Sequence, residues 1–353
     1  MNCNKIIICL FCLGMFSIPV FSQADSVIQA KIIDDGSQEA EKFYNSGVAN
    51  FGLKKYSEAI QDFDQALKLK HGFEKAFYNR GLIYLELKHY KEALSDFDSS
   101  LAIEQNPDSY FSRGQIKYVF GNKEAAIIDY SKAIEIKPTH AQAFYYRGGI
   151  KFENQDYKGA IEDFSAAISI KSDYAYAYND RGSSKRQLED YDGAIIDYQK
   201  ALMANPNLAF AYNNLASAKR KKGDFKGAIL DYSAAIKLQS DYYIAYNNRG
   251  SAKFDSGDFK GAIEDFTKAI ELKSDYAYAY NNRASAKLKL KDYKGCLEDC
   301  DSAIKQNPTY GAAYLNRGIS KEMLKDFEGS CSDWKKATEL GEELSKQYAG
   351  HCE

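Results

Sequence analysis

Carboxylates recur at one place along this chain: Asp62, Asp96, Asp129, Asp163, Asp197, Asp231, Asp265, Asp299 and Asp333. An arginine column accompanies them: Arg80, Arg113, Arg147, Arg181, Arg249, Arg283 and Arg317, with Ser46 and Leu215 at the two remaining places. A planar guanidinium can hold a carboxylate through two parallel hydrogen bonds, so the two columns predict an Arg–Asp ladder that fixes the register of neighbouring helices. A row of catalytic acids is the other chemistry such carboxylates could do, but a residue repeated in every segment reads as architecture. The four histidines (His71, His89, His140, His351) stand in no H-E-x-x-H frame. Neither a Gly-rich phosphate loop nor a nucleophile elbow is present. The expectation is a protein that is not an enzyme, has no cofactor and binds no metal.

The elements that would position these columns are written in the spacing. Small residues at Gly47, Gly81, Gly114, Gly148, Gly182, Ala216, Gly250, Ala284 and Gly318 are separated by 34 residues, once by 33. Twelve residues after each lies a second small residue, as in Ala160 or Ala262, and four further on an aromatic such as Phe164, with Cys296, Cys300 and Ser330 as departures near the end. These steps are helical. The segment 157–170 puts Tyr157, Ala160, Ile161, Phe164, Ala167 and Ile168 on one face, and 141–154 supplies a helix before it. Asp156, Asp190, Asp224, Asp258, Asp292 and Asp326 sit at the corner between the two helices, where an Asp can cap the second. Pairs such as Ser172-Asp173 and Pro206-Asn207 are expected to stop one helix and cap the next. One such hairpin cannot bury its own apolar face, so the units must stack.

This order of Gly, Ala, Phe or Tyr, Ala, then Pro or Ser resembles the tetratricopeptide repeat family over roughly residues 40–344. The resemblance implies an all-α, right-handed solenoid of about nine helix–turn–helix units starting near 40, 74, 107, 141, 175, 209, 243, 277 and 311, with the first helices lining a concave groove. It also implies a scaffold or peptide-binding role. Carried onto this chain, the family's groove positions differ between halves. The first half offers Glu41, Tyr44, Lys75, Tyr78, Asp108, Phe111, Gln142, Tyr145, Phe152 and Glu153. The second offers Asn179, Asn213, Asn247 and Asn281, then Ser183, Ser217, Ser251 and Ser285, with Asn214, Asn248 and Asn282 beside them and Arg186 and Arg220 adding charge.

Asn and Ser are poor helix formers because they compete for backbone hydrogen bonds, and an amide both donates and accepts, which suits gripping an extended peptide. The series is similar to the asparagine ladder of the O-linked N-acetylglucosamine transferases. It does not resemble the family's chaperone-binding clamp, for which Tyr44 and Val48 are the wrong residues. The alternative is that duplication copied these amides and they face water. A Lys stripe, including Lys117, Lys151 and Lys185, reads as a solvated face, with an acidic partner as its alternative.

Composition bounds the rest. Of 353 residues, 45 % are hydrophobic and 27 % charged, and a net charge of -2 gives no general attraction to nucleic acid or an anionic membrane. Residues 1–22, with Lys5 before the apolar run 6–21, read as a secretory signal, with 24 a second cleavage point and an uncleaved anchor the alternative. A linker over 23–39 follows. The chain is then expected to be exported, periplasmic or secreted, without an integral membrane segment once the signal is removed. Outside the cytoplasm Cys331 and Cys352 are expected to form a disulfide holding a capping helix over 342–353 against the last unit. Cys296 and Cys300 are expected to be reduced packing residues. The partner is expected to be a protein or peptide gripped in the groove. The alternatives are a substrate-delivery or assembly module for a separate envelope enzyme complex, and a self-associating repeat protein.

Overall fold

A computed structural model describes residues 38–350 and 352. The expected signal and most of the expected linker lie outside the described residues, as does His351. Nineteen helices and no strands make up the described part. The first helices of successive pairs are α1 (Gln38–Gly52), α3 (Glu74–Glu86), α5 (Pro107–Val119), α7 (Ala141–Glu153), α9 (Ala175–Gln187), α11 (Ala209–Lys221), α13 (Tyr243–Asp255), α15 (Ala277–Lys289) and α17 (Gly311–Met323). The second helices are α2 (Tyr56–Leu69), α4 (Tyr90–Ile103), α6 (Lys123–Ile136), α8 (Tyr157–Ile170), α10 (Tyr191–Ala204), α12 (Phe225–Leu238), α14 (Phe259–Leu272), α16 (Tyr293–Gln306) and α18 (Phe327–Glu339). A short α19 (Ser345–Ala349) follows. The nine pairs are the nine units read from the sequence. Gln38 and Glu39, placed in the linker by the sequence, already belong to α1.

Within a pair the small residue of the first helix meets the ring of the second. A Cβ on Gly148 would stand 3.0 Å from the Phe164 ring, and one on Gly250 2.8 Å from that of Phe266. Phe63, Phe97, Tyr130, Phe164, Tyr198 and Tyr232 are each fully buried by this arrangement. Burying such a ring contributes roughly 1.5–3 kcal/mol, which makes the pair the elementary packing unit. The corner Asp residues cap as expected: Asp156 Oδ1 accepts from Gly159 N–H at 3.0 Å and Asp224 Oδ1 from Gly227 N–H at 2.8 Å. The residue before that cap takes a left-handed conformation, Gly in α5–α6 (Gly121, φ 79°) but Glu in α9–α10 (Glu189, φ 63°).

The expectation for the other corner is corrected. Ser172-Asp173 does not cap α9; the N-cap is Tyr174, with no side-chain cap bond. Its ring packs on Tyr145 of the preceding unit at 4.9 Å between centroids, so inter-unit packing takes the place of a hydrogen-bonded cap.

Consecutive first helices touch along the stack, while consecutive second helices do not to a comparable extent. The odd-numbered helices therefore form the inner wall. At the C-terminal end Cys331 and Cys352 are joined, with their Cα atoms 5.6 Å apart, and Tyr348 lies on Trp334 at 5.1 Å between ring centroids. Closing a loop of this size removes about 3 kcal/mol of chain entropy from the unfolded state.

Candidate functional site

The inner wall is held by the charge ladder. In α7, Arg147 donates from Nε and Nη2 to the two oxygens of Asp163 at 2.8 and 2.7 Å, and its Nη1 reaches back to Ser131 of the preceding unit at 3.0 Å. The same bidentate grip recurs at Arg80–Asp96, Arg113–Asp129, Arg181–Asp197, Arg249–Asp265, Arg283–Asp299 and Arg317–Asp333. Each guanidinium thus bonds to the second helices of two units. The reach into the preceding unit goes to Asp64, Asp98, Ser165, Ser233, Thr267 or Asp301 in the other cases.

The Lys stripe is not a solvated face, and that expectation is corrected. Lys117, Lys151, Lys185, Lys253, Lys287 and Lys321 each place Nζ 2.7–2.9 Å from the same buried aspartate that the ladder arginine holds. The Lys stands one helical turn after the Arg, so both cations share one face. These carboxylates retain at most 5 % side-chain exposure. Unit six departs from the pattern. Leu215 stands in the arginine column, Asp231 has Lys219 alone at 2.6 Å, and burial holds its carboxyl above the usual range, opposed by that Lys.

The groove amides form a second ladder across the seams between units. Asn214 donates to Asn179 Oδ1 at 3.1 Å, Asn248 to Asn213 Oδ1 at 3.0 Å, Asn282 to Asn247 Oδ1 at 2.9 Å and Asn316 to Asn281 Oδ1 at 2.9 Å. The accepting residues Asn179, Asn213, Asn247 and Asn281 are buried; the donors Asn214, Asn248 and Asn282 are half-buried. Among the described residues no hydrogen bond reaches Oδ1 of Asn214 or Asn282. The serines one turn on line the floor. Ser183 pairs with the Tyr198 hydroxyl at 3.2 Å, Ser251 and Ser285 donate to Asn247 and Asn281 carbonyls at 3.0 Å, and Ser217 accepts from Arg186 at 3.4 Å. Arg220 is tied across the next seam to Asp255 at 2.6 Å. The groove rim carries Tyr176, exposed, stacked on Phe210 at 5.9 Å between centroids.

Two members of this seam were not singled out from the sequence: Asn316, the terminal donor, and Asp180. The latter accepts from Tyr145 Oη at 2.8 Å and Asn179 Nδ2 at 2.9 Å, and burial raises its pKa against those bonds. The signal that could have found both is a 35-residue offset, one residue longer than the repeat, which links each seam pair.

Models of the tetratricopeptide repeat match residues 44–109, 107–140 and 175–208, and a TPR repeat model matches 217–254 and 250–291. The chain is a tetratricopeptide-repeat protein. Repeats of this family are typically non-catalytic protein-binding scaffolds. Among solved structures, the C-terminal part of a TPR repeat-containing protein from Cytophaga hutchinsonii is similar, with 18 % identity, 68 % of this chain and 98 % of that chain covered, and a TM-score of 0.55. A tetratricopeptide repeat protein from Parabacteroides merdae gives 19 %, 71 %, 97 % and 0.53, and PilF of Pseudomonas aeruginosa 16 %, 60 %, 97 % and 0.54. At these identities the likeness concerns the fold. No curated protein matches the chain significantly. Among the described residues no helix of this TPR protein is long and apolar enough to cross a membrane, and no three potential metal ligands cluster.

Proposed function

We propose that the chain is a non-catalytic scaffold that holds an extended segment of a protein partner against units five to eight of the inner wall. The observation that carries this reading is the floor of that region. Small hydroxyl side chains (Ser183, Ser217, Ser251, Ser285) follow Leu82, Gln115 and Gly149 of the earlier units at this place, beside amides with spare hydrogen-bonding capacity. An amide already locked in place by its neighbour loses little side-chain entropy on meeting a peptide, which favours binding. Tyr176 and Phe210 offer a rigid aromatic rim, and Arg186 biases the site towards a segment carrying acidic groups. The apolar run 6–21 after Lys5 supports export to the envelope or secreted space, where the partner would be met.

A photo-crosslinking amino acid placed at Ser217 or Ser251, compared with one on the outer surface at Leu230, tests the groove. Partner adducts at the two serines and none at Leu230 are expected; adducts at Leu230 alone would refute it. Peptide sequencing of the mature N-terminus tests export, with cleavage after 22 or 24 expected.

A further inference from the structure

Unit eight is the one unit of the nine that carries no ring in its packing columns. In unit seven Gly250, Ala262 and the Phe266 ring occupy the three packing columns; in unit eight these are Ala284, Cys296 and Cys300. A six-carbon ring has been exchanged for two sulfurs and a methyl group. Both sulfurs are fully buried between α15, α16 and α17, and they stand 3.9 Å apart as free thiols in a structure that joins Cys331 to Cys352. The Ser320 hydroxyl lies beside the Cys296 sulfur, is fully buried, and makes no hydrogen bond of normal geometry. The Asn316 carbonyl oxygen is 3.9 Å from the same sulfur.

We propose that Cys296 and Cys300 form a two-sulfur site for one soft monovalent metal ion of the copper(I) class. With metal–sulfur bonds of about 2.3 Å, one ion bridges sulfurs up to about 4.6 Å apart, so 3.9 Å is within reach without unwinding α16. Thiolates select soft ions. No third His, Cys, Asp or Glu joins the pair among the described residues, which leaves a zinc-type shell of four ligands unfilled; the 3.9 Å separation is shorter than two collinear bonds would span, so the sulfurs would hold the ion from one side and leave place for a weak third contact. Ser320 Oγ, otherwise without a partner, is placed to become a weak third contact. Loading converts two thiols to thiolates and releases two protons, with no change in oxidation state. The resulting single negative charge falls near Lys287 and Arg317, the ladder cations on either side of α16, and near the Asp299 carboxylate they share the region with. Because both sulfurs are buried, uptake follows local opening of the α15–α17 stack.

The test uses the full mature chain with its Cys331–Cys352 disulfide intact, incubated anaerobically with copper(I) buffered by excess bathocuproine disulfonate, and read by native mass spectrometry and thermal unfolding. One retained ion per chain and a raised Tm are expected. C300S, which keeps the volume, and A284G/C296A/C300F, which restores the packing columns of unit seven, should each retain none and show no Tm shift while keeping their helical circular dichroism. A wild-type chain that retains no ion under these conditions overturns the proposal, as does equal retention by either folded variant.

Discussion

The two halves of the inner wall solve one problem with different chemistry. From Tyr44–Asn79 to Asn281–Asn316 the same 35-residue offset joins one unit to the next. In the first half the seam is aromatic: Tyr44 Oη accepts from Asn79, Phe111 meets Tyr146 edge-on at 5.4 Å, and Tyr145 donates to Asp180. In the second half four consecutive seams are amide to amide. Rings contribute through buried area and hold their neighbours by shape; amides contribute little net energy each but fix direction and leave polar capacity over. The first half is therefore built as a stiff wall, and the second as a wall that can also be read by a ligand.

The sharpest way to break this comparison is to remove one seam of each kind. Tyr145→Ala should destabilise units four and five by about 3–5 kcal/mol, because a buried ring packed on Phe164 and Tyr174 is lost. Asn247→Ala should cost less, about 1–3 kcal/mol, since its loss leaves the Asn282 amide without its acceptor. Hydrogen exchange resolved by unit checks both. Equal effects would end the distinction between halves.

Repair of unit six sharpens it. Leu215→Arg should restore the missing guanidinium on Asp231 and stabilise the protein at neutral pH by about 1.5–3 kcal/mol. Burial raises the Asp231 pKa, so in the wild type its contribution is most favourable below the ordinary carboxylate range and is lost as pH rises through the raised value. The stabilisation by Leu215→Arg should therefore grow between about pH 4 and 7 and fade in acid, in denaturant melts across that range. The smallest effect is expected at a corner. Glu189→Gly relieves a left-handed backbone that Gly121 and Gly223 already occupy without strain, and should stabilise by at most about 1 kcal/mol.

The packing columns, the Asp caps and the Arg–Asp pairing were legible in the sequence because each depends on contacts inside one hairpin, where helical periodicity fixes distance. What was not legible lies between hairpins. The third arginine bond, from Nη1 to the preceding unit, and the seam from Asn213 to Asn248 depend on how far one unit rotates on the next, which no single period encodes. The lysines misled for another reason. A long side chain written on a surface position can lie back across the partner helix of its own hairpin, and Lys151 of α7 does so to reach Asp163 of α8.

One consequence follows from the guanidinium of Arg147 and its counterparts, each bonded to second helices of two successive units. Pulled from its two ends, such a chain does not shed hairpins singly, because extracting one breaks the grip on the next. Load is shared until it meets the position where Leu215 supplies no grip, and there, in the middle of the stack, the molecule should tear first.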